Sequence, residues 1–293
     1  MAMVNMTRLE PLEDMTDHLN NPEVLRSRAA DDGILFFAGL LSPSKVNGVR
    51  SQILPVCDRN GWVKEGSELL DGVAKSDVAV LDDADPRWRT FYDDTLKIRD
   101  FHELALDANL IHVFEVLFGE PVLPHSRNIC RVVFPGTASH STPPHQDHFY
   151  IGGSDDMWTA WIPCGDCPAS LGGLAVAKGS HRQGKLDVKE AVGAGSHQVD
   201  VKEDQVWVGG DYACGDVILL HNLTIHQGQD NLSQDRLRLS CDFRYQPRSH
   251  PVRADSLVPH MDWLTWEEIY QDWEPTDPLK YYWKDWDLQI VEW

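Results

Sequence analysis

The segment His145-Gln146-Asp147 places an imidazole and a carboxylate two positions apart. On a β-strand, side chains at positions i and i+2 project to the same face, so these two groups would meet on one side of a sheet. A third metal ligand is available from the segment 215–226, which contains His221 and His226. Two histidines and one carboxylate that cover one face of a metal leave adjacent positions open, which is the arrangement of non-haem Fe(II) oxygenases. The pattern therefore predicts an iron site.

Two arginines follow this segment, Arg236 and Arg238, and they share the parity of a strand. A buried guanidinium can bind a carboxylate through two parallel hydrogen bonds, which suits the distal carboxylate of 2-oxoglutarate. Both side chains could face the inside of a barrel, and their spacing alone does not separate them. The arginine that does not bind the cosubstrate would then form a surface ion pair.

Other residues near these motifs carry weaker signals. His140 and His148 flank the first motif and are expected in a loop or around the ligands. The pair Cys164 and Cys167 lacks a second CxxC or a βαβ context, so we expect structural thiols there. A substrate pocket is predicted from one basic and three aromatic residues: Arg131, Phe149, Tyr150 and Trp161.

Residues 1–120 are predicted to be mainly helical. Ser42-Pro43 is typical of a helix start, with proline at the first helical position. Apolar residues recur at helical spacing through 101–118, and Gly119 follows as a stop signal. This part would support the residues that carry the chemistry.

Residues 121–250 are predicted to form the core of the protein. Short β-type runs alternate there with turn residues, without amphipathic helices between them: 127–134, 157–162, 174–177, 205–208, 216–220 and 236–245. Such a pattern indicates an antiparallel barrel or a double-sheet jelly roll, also called a double-stranded β-helix. The predicted fold class is thus mainly β with a helical N-terminal part, in a single domain of residues 1–293.

The C-terminal segment 251–293 is rich in tryptophan: six of the eleven tryptophans fall in the last 31 residues. Thr265-Trp266-Glu267-Glu268 is a capping-box pattern that predicts a short helix. Because aromatic side chains bury large areas, we expect this tail to pack on the core or on a second copy of the chain.

Composition limits the partners. With 26 Lys and Arg against 46 Asp and Glu, the formal net charge of −20 argues against nucleic acid and anionic membrane surfaces. No apolar run approaches the roughly 20 residues of a transmembrane helix, and the N-terminus lacks a signal-peptide pattern. Six scattered cysteines are then expected as free thiols in a cytoplasmic protein.

From Leu35 to Tyr245, the sequence resembles the phytanoyl-CoA dioxygenase-like family of Fe(II)/2-oxoglutarate oxygenases. The resemblance rests on a set of motifs: Pro144–Asp147, Trp158–Ile162, Gly173–His181, Ile225-His226, Asn231 and Arg238–Ser240. It implies that His145, Asp147 and His226 bind the iron, with His226 preferred to His221 because an aliphatic residue precedes it and a glycine-containing turn follows.

The same resemblance assigns the cosubstrate site. It implies that Arg238, preferred to Arg236 for its spacing to Tyr245, binds the distal carboxylate of 2-oxoglutarate. Several family members place a serine two residues after the ligand histidine, where this chain has Gly228. Thr159 is the predicted source of the missing hydroxyl.

The implied reaction uses Fe(II), 2-oxoglutarate and O2, releases succinate and CO2, and oxidises a small organic metabolite through a ferryl intermediate. The carboxylate of Asp147 implies hydroxylation rather than halogenation, since related halogenases have a small residue there. Two alternatives remain at this point. One is a cupin-like metal-binding protein with non-oxidative chemistry, and the other is a non-catalytic binding protein.

Overall fold

The structure is a computed structural model that describes residues 9–79, 85–136 and 141–292. Its N-terminal third is mainly helical, and short helices recur beside the metal-binding motif and in the tail. The helices are α1 (Pro22–Asp32), α2 (Pro43–Arg59), α3 (Pro86–Leu96), α4 (Arg99–Ala105), α5 (Ala108–Phe118), α6 (His148–Ile151) and α7 (Trp266–Ile269). Among the described residues, no helix has the length and apolar character that a membrane crossing requires.

The strands lie mostly in the second half of the chain. They are β1 (Ile34–Phe37), β2 (Val122–Pro124), β3 (Ile129–Val133), β4 (Trp158–Pro163), β5 (Leu174–Ala177), β6 (Val188–Glu190), β7 (His197–Val199), β8 (Trp207–Val208), β9 (Val217–His221), β10 (His226–Gly228), β11 (Arg238–Pro247), β12 (Val252–Arg253) and β13 (Ile290–Val291). The predicted β-type runs thus correspond to strands, with bounds shifted by up to two residues.

Two antiparallel sheets make up the centre of the molecule. The larger has the order β1-β9-β4-β11-β2, with β3 also paired to β11, and the smaller has the order β10-β5-β8. Apolar side chains from both sheets pack in one cluster that includes Trp161, Ile218, Leu220, Leu174 and Val176. The sheets therefore face each other across a shared interior.

Strand β11 separates this interior from the main core. Leu239, Cys241, Phe243 and Tyr245 belong to the largest apolar cluster, which also includes residues of α2 to α5. The alternate residues on the opposite face of β11 are polar: Arg238, Ser240, Asp242 and Arg244. The period of two thus places four polar side chains in the space between the sheets.

The predicted helix over 101–118 is two helices. Chain direction changes at Leu106-Asp107, between α4 and α5, where the Asp107 carboxylate accepts a hydrogen bond from the backbone N–H of Asn109. This cap starts a new helix, and apolar periodicity alone cannot reveal such a break. The stop at Gly119 is confirmed: this residue adopts a left-handed conformation at the end of α5.

The tryptophan-rich tail packs on the core of its own chain. Trp266, Trp273 and Trp283 are buried in the same apolar cluster as β11. The predicted capping box at Thr265 is confirmed, with reciprocal hydrogen bonds between Thr265 and Glu268 at the start of α7.

Candidate active site

His145, Asp147 and His226 come together between the sheets. Their ligand atoms all lie within 4.8 Å of one another, and all three side chains are buried. His145 and His226 face each other in an antiparallel bridge, in which each backbone N–H donates to the other's carbonyl at 3.0 Å. This bridge joins the first motif to β10.

The side-chain hydrogen bonds point both imidazoles at the carboxylate. His145 Nδ1 donates to the Pro143 carbonyl at 2.8 Å, and His226 Nδ1 donates to the Thr224 carbonyl at 3.0 Å. Because a carbonyl only accepts, each Nδ1 carries the hydrogen, and in a neutral imidazole the lone pair is then on Nε2. These Nε2 atoms lie 3.7 and 3.8 Å from Asp147 Oδ1. One oxygen and two nitrogens therefore converge as a divalent-metal site requires.

The prediction that His145 and Asp147 project from a strand is wrong for Asp147. This residue has φ −64° and ψ −26° and directly precedes α6. The intervening Gln146, which the sequence interpretation passed over, holds the turn. Its amide nitrogen donates to the carbonyls of Gly184 and Leu223, and its oxygen accepts from the N–H of Leu186. Convergence thus comes from an anchored turn rather than from strand alternation.

The electrostatics of the site favour metal-binding forms of the ligands. Burial by itself would raise the pKa of Asp147, but the charge of the neighbouring Arg244 holds that pKa well below its usual range. Burial, reinforced by the neighbouring His145, lowers the pKa of His226 to about 4. Near neutral pH the site thus presents an anionic carboxylate and a neutral His226 imidazole.

The two candidate arginines occupy different places. Arg238, at the start of β11, is buried in a small pocket with the three metal-candidate residues, and its Nη1 donates to Ser240 Oγ at 2.7 Å. Arg236 precedes the strand, its side chain is 48% exposed, and it donates to the Asp71 carbonyl at 2.8 Å. The shared parity of the two arginines therefore does not place both in the interior, because β11 begins only at Arg238.

The hydroxyl of Thr159 is already used. It donates to Asp147 Oδ2 at 2.5 Å and so supports the candidate metal ligand. Gly228 lies in the same small pocket, and a Cβ atom there would be 3.7 Å from Thr142 Oγ1. Thr142, which the sequence interpretation did not single out, thus places a second hydroxyl close to the position that the family's serine would occupy.

The predicted substrate-pocket residues divide into two groups. Arg131, Tyr150 and Trp161 line the space around the triad, and Arg131 Nε lies 2.5 Å from Asp242 Oδ2. Phe149 is instead 44% exposed and packs on Tyr150 and His197, two residues of the cavity wall, without lining the cavity itself.

The other histidines and the CxxC pair lie apart from the ligand set. His221 packs against Trp158 and His181, and His148 lies beside Asn222, so neither joins the cluster. His140 falls outside the described residues. The Cys164 thiol contacts Cys241 rather than Cys167, and all six cysteines, which fall within the described residues, are free.

A cavity of about 580 Å³ opens beside the triad, with His145, Asp147 and Arg238 on its wall. Its other lining residues include several that the sequence interpretation missed: Arg127, Arg244, Asp255 and His260. For Arg244 a signal existed, because Asp242 and Arg244 continue the polar alternation that starts at Arg238. Volume and position suit a small-molecule site.

The chain is similar to a known protein family and to two named enzymes. The family model described as "Phytanoyl-CoA dioxygenase (PhyH)" matches residues 29–239. The 1-deoxypentalenic acid 11-beta-hydroxylase of Streptomyces arenae is 29% identical over 273 residues, covering 88% of this chain and 91% of that protein. The enzyme of the same name from Streptomyces exfoliatus is 28% identical over 284 residues, with the same coverage.

Solved structures share the fold. The non-heme alpha ketoglutarate-dependent epimerase SnoN from nogalamycin biosynthesis has 20% sequence identity and a TM-score of 0.58 in its complex with Fe3+, alpha ketoglutarate and nogalamycin RO. That match covers 79% of this chain and 85% of the epimerase chain. The carbocyclase SnoK, from the same biosynthesis, has 19% identity and a TM-score of 0.54, covering 82% and 89% of the two chains.

Proposed function

Because the chain belongs to the phytanoyl-CoA dioxygenase (PhyH) family, we propose that it is an Fe(II)- and 2-oxoglutarate-dependent dioxygenase that hydroxylates a small organic molecule. The observation that carries the proposal is the meeting of His145, Asp147 and His226 with the buried Arg238 in one pocket. The names of the two Streptomyces relatives support hydroxylation. We further propose that the two facing sheets form a double-stranded β-helix core within a single domain.

The donor set fits iron. His145 and His226 would bind it through Nε2 and Asp147 through Oδ1, because the two Nδ1 atoms are held by backbone carbonyls. When bound, iron with 2-oxoglutarate and O2 would supply oxidative decarboxylation, with release of succinate and CO2, and the oxidation of a substrate C–H bond.

The protein's own groups would position the reactants. Arg238 would bind the distal carboxylate of 2-oxoglutarate, since its guanidinium is buried in the small pocket beside the metal ligands. The Thr142 hydroxyl, which lies near Gly228, would add a hydrogen bond to the cosubstrate. Thr159 would hold Oδ2 of Asp147 so that Oδ1 faces the metal. The burial of all three ligands would keep bulk water from the reacting centre.

The test is an anaerobic titration of the metal-free protein with Fe(II) and 2-oxoglutarate, followed by the visible metal-to-ligand charge-transfer band. We expect a band in the unmodified protein and at least about a 30-fold weaker 2-oxoglutarate affinity in Arg238→Ala, because a buried charge partner is lost. Arg236→Ala is the matched control and should titrate like the unmodified protein. Absence of the band in the unmodified protein would refute the proposal.

A further inference from the structure

The cavity beside the triad is large enough for a substrate, and its wall combines apolar residues with several arginines. Its volume of about 580 Å³ falls within the range of sites for small organic ligands. Part of its wall is apolar, including Trp88, Ile129, Val132 and Phe134. Three arginines besides Arg238 line the same space: Arg127, Arg131 and Arg244.

Two of these three arginines lie beside carboxylates that are not candidate metal ligands. Arg131 Nε is 2.5 Å from Asp242 Oδ2, so its charge is matched. Arg127 Nη1 donates to the Asp255 carbonyl at 2.9 Å and lies 4.0 Å from the Asp255 carboxylate. That carboxylate is also 2.5 Å from Arg253 Nη2 and is therefore shared between two arginines. Arg127 thus has only part of a counter-charge.

Arg244 is the least compensated of the three. Its side chain is 5% exposed, and its nearest carboxylate oxygen is Asp147 Oδ2, 3.7 Å from Nη2. Its Nε and Nη1 are buried and have no acceptor among the residues that the structure describes. Asp147 is a candidate metal ligand, so a bound metal would compete with Arg244 for its charge. Burying a cation without a full partner is costly, and an anionic ligand would remove that cost.

The arginine charges act on one region of the cavity. Burial first, and then the charges of Arg127, Arg244 and Arg131, hold the pKa of His260 well below its usual value. His260 lines the cavity too, and its Nδ1 has no partner among the described residues. Several arginines therefore lie on the same part of this wall as His260, although the whole chain has a net charge of −20.

We infer that the substrate is an organic acid whose carboxylate binds at Arg244 and Arg127. A carboxylate would supply the counter-charge that Arg244 lacks and that Arg127 has only in part, and its two oxygens suit the fork of an arginine. A polyanionic thioester would bring more negative charges to the cavity than these two incompletely paired arginines could match. The inference rests on the proposed function, because it takes this cavity to be the substrate site.

Binding of four acids and their neutral amides tests the inference. The probes are adamantane-1-carboxylate, cyclohexanecarboxylate, benzoate and decanoate, each compared with its primary amide. Calorimetry with the anaerobic protein containing Fe(II) and 2-oxoglutarate gives the affinities. We expect at least one acid to bind about 10-fold or more tightly than its amide, as a charge-assisted hydrogen bond would give. Amides equal to acids throughout, or no acid binding at millimolar concentration, would overturn the inference.

Three variants test which arginines cause the preference for acids over amides. Arg244→Gln and Arg127→Gln should bring the acid-to-amide affinity ratio close to one, while the exposed Arg236→Gln should leave it unchanged. The ratio is the readout because a general loss of packing would weaken both members of a pair alike. Arg127 is partly exposed, so Arg127→Gln keeps the test available if Arg244→Gln does not fold. An unchanged ratio in Arg127→Gln and in any folded Arg244→Gln would overturn the assignment.

The test of acid binding can fail independently of the test of the proposed function. Acid binding can also be followed as thermal stabilisation of the metal-free protein, without any turnover. If acids stabilise the protein in an Arg244-dependent manner but no charge-transfer band forms, only the proposed function fails. If the band forms and acids show no preference over amides, only the present inference fails.

Discussion

The hydroxyl of Thr159 donates to Asp147 Oδ2 at 2.5 Å, while Asp147 Oδ1 faces the two histidines. Strand β4 of the larger sheet thereby fixes the orientation of a side chain that belongs to the turn before α6. The two carboxylate oxygens have separate tasks: one is held by the sheet, and the other is available to a metal. Outer hydrogen bonds of this kind commonly set the affinity of a metal site.

Removal of this hydroxyl should weaken metal binding without unfolding the protein. We expect Thr159→Val, which keeps the side-chain shape, to reduce Fe(II) or Mn(II) affinity by about 10-fold. Thr159→Ser retains the hydroxyl and serves as the control. Anaerobic calorimetry with each metal measures the affinities. Equal affinities in both variants would show that Thr159 does not orient Asp147.

Removal of the carboxylate itself should have a larger effect. In Asp147→Ala we expect metal affinity to fall by more than the ~10–100-fold typical of outer hydrogen-bond changes, with loss of most iron-dependent turnover. Metal content after desalting and 2-oxoglutarate consumption measure the two effects. Asp155→Ala, at an exposed carboxylate nearby, is the control. Full activity of Asp147→Ala would refute the triad assignment.

The free energy of unfolding should fall as the pH is lowered, because two buried histidines have lowered pKa values. Burial lowers the pKa values of His102 and His125 to about 4, from 6.5 in the unfolded chain. At pH values between these two pKa values, the unfolded chain binds more protons than the folded protein, so a lower pH favours unfolding. From pH 7 to pH 5.5 each histidine should remove about 1 kcal/mol of unfolding free energy.

Variants identify the groups that cause this pH dependence. In urea denaturation at the two pH values, His102→Gln should reduce the loss by about 1 kcal/mol. The exposed His112→Gln is the control, and it should show the same loss as the unmodified protein. The assignment to buried histidines would be wrong if both variants behaved alike.

The tail should contribute strongly to the stability of the chain. Trp273 Nε1 donates to the Lys97 carbonyl at 2.9 Å, and its ring centroid lies 5.4 Å from that of His102. We expect Trp273→Ala to cost about 3–5 kcal/mol of unfolding free energy, measured by urea denaturation. Leu232→Ala, at an exposed apolar residue, should change it by less than about 0.5 kcal/mol. A cost under about 1 kcal/mol for Trp273→Ala would show that the tail is dispensable for folding.

Local patterns predicted the parts of the fold that depend on neighbouring residues in the chain. The β-type runs, the stop at Gly119 and the capping box at Thr265 follow from side-chain periodicity and cap chemistry. The spacing of His145 and Asp147, with a later histidine at 221 or 226, predicted the metal site, and the family resemblance selected His226. Their convergence could be expected even though Asp147 lies on a turn rather than on a strand.

The other features of the candidate site depend on tertiary contacts. The exposure of Arg236 depends on where β11 begins, and the use of the Thr159 hydroxyl depends on Asp147, which approaches from another element. The charge imbalance at Arg244 appears only after the partners of each cavity arginine have been identified in space. Sequence spacing carries no information about such pairings.

The alternation of polar and apolar side chains along β11 limits the sequence changes that could alter the ligand preference of this protein. Asp242 or Arg244 can be replaced one at a time, which would change the preferred ligand and leave Arg238 in place. Insertion of a single residue near the start of the strand would instead exchange its two faces, turning apolar side chains such as Leu239 and Phe243 toward the ligand space. Point substitution is therefore the accessible route to a new ligand preference along this strand, whereas a one-residue change in its length would disrupt the proposed 2-oxoglutarate and substrate sites together.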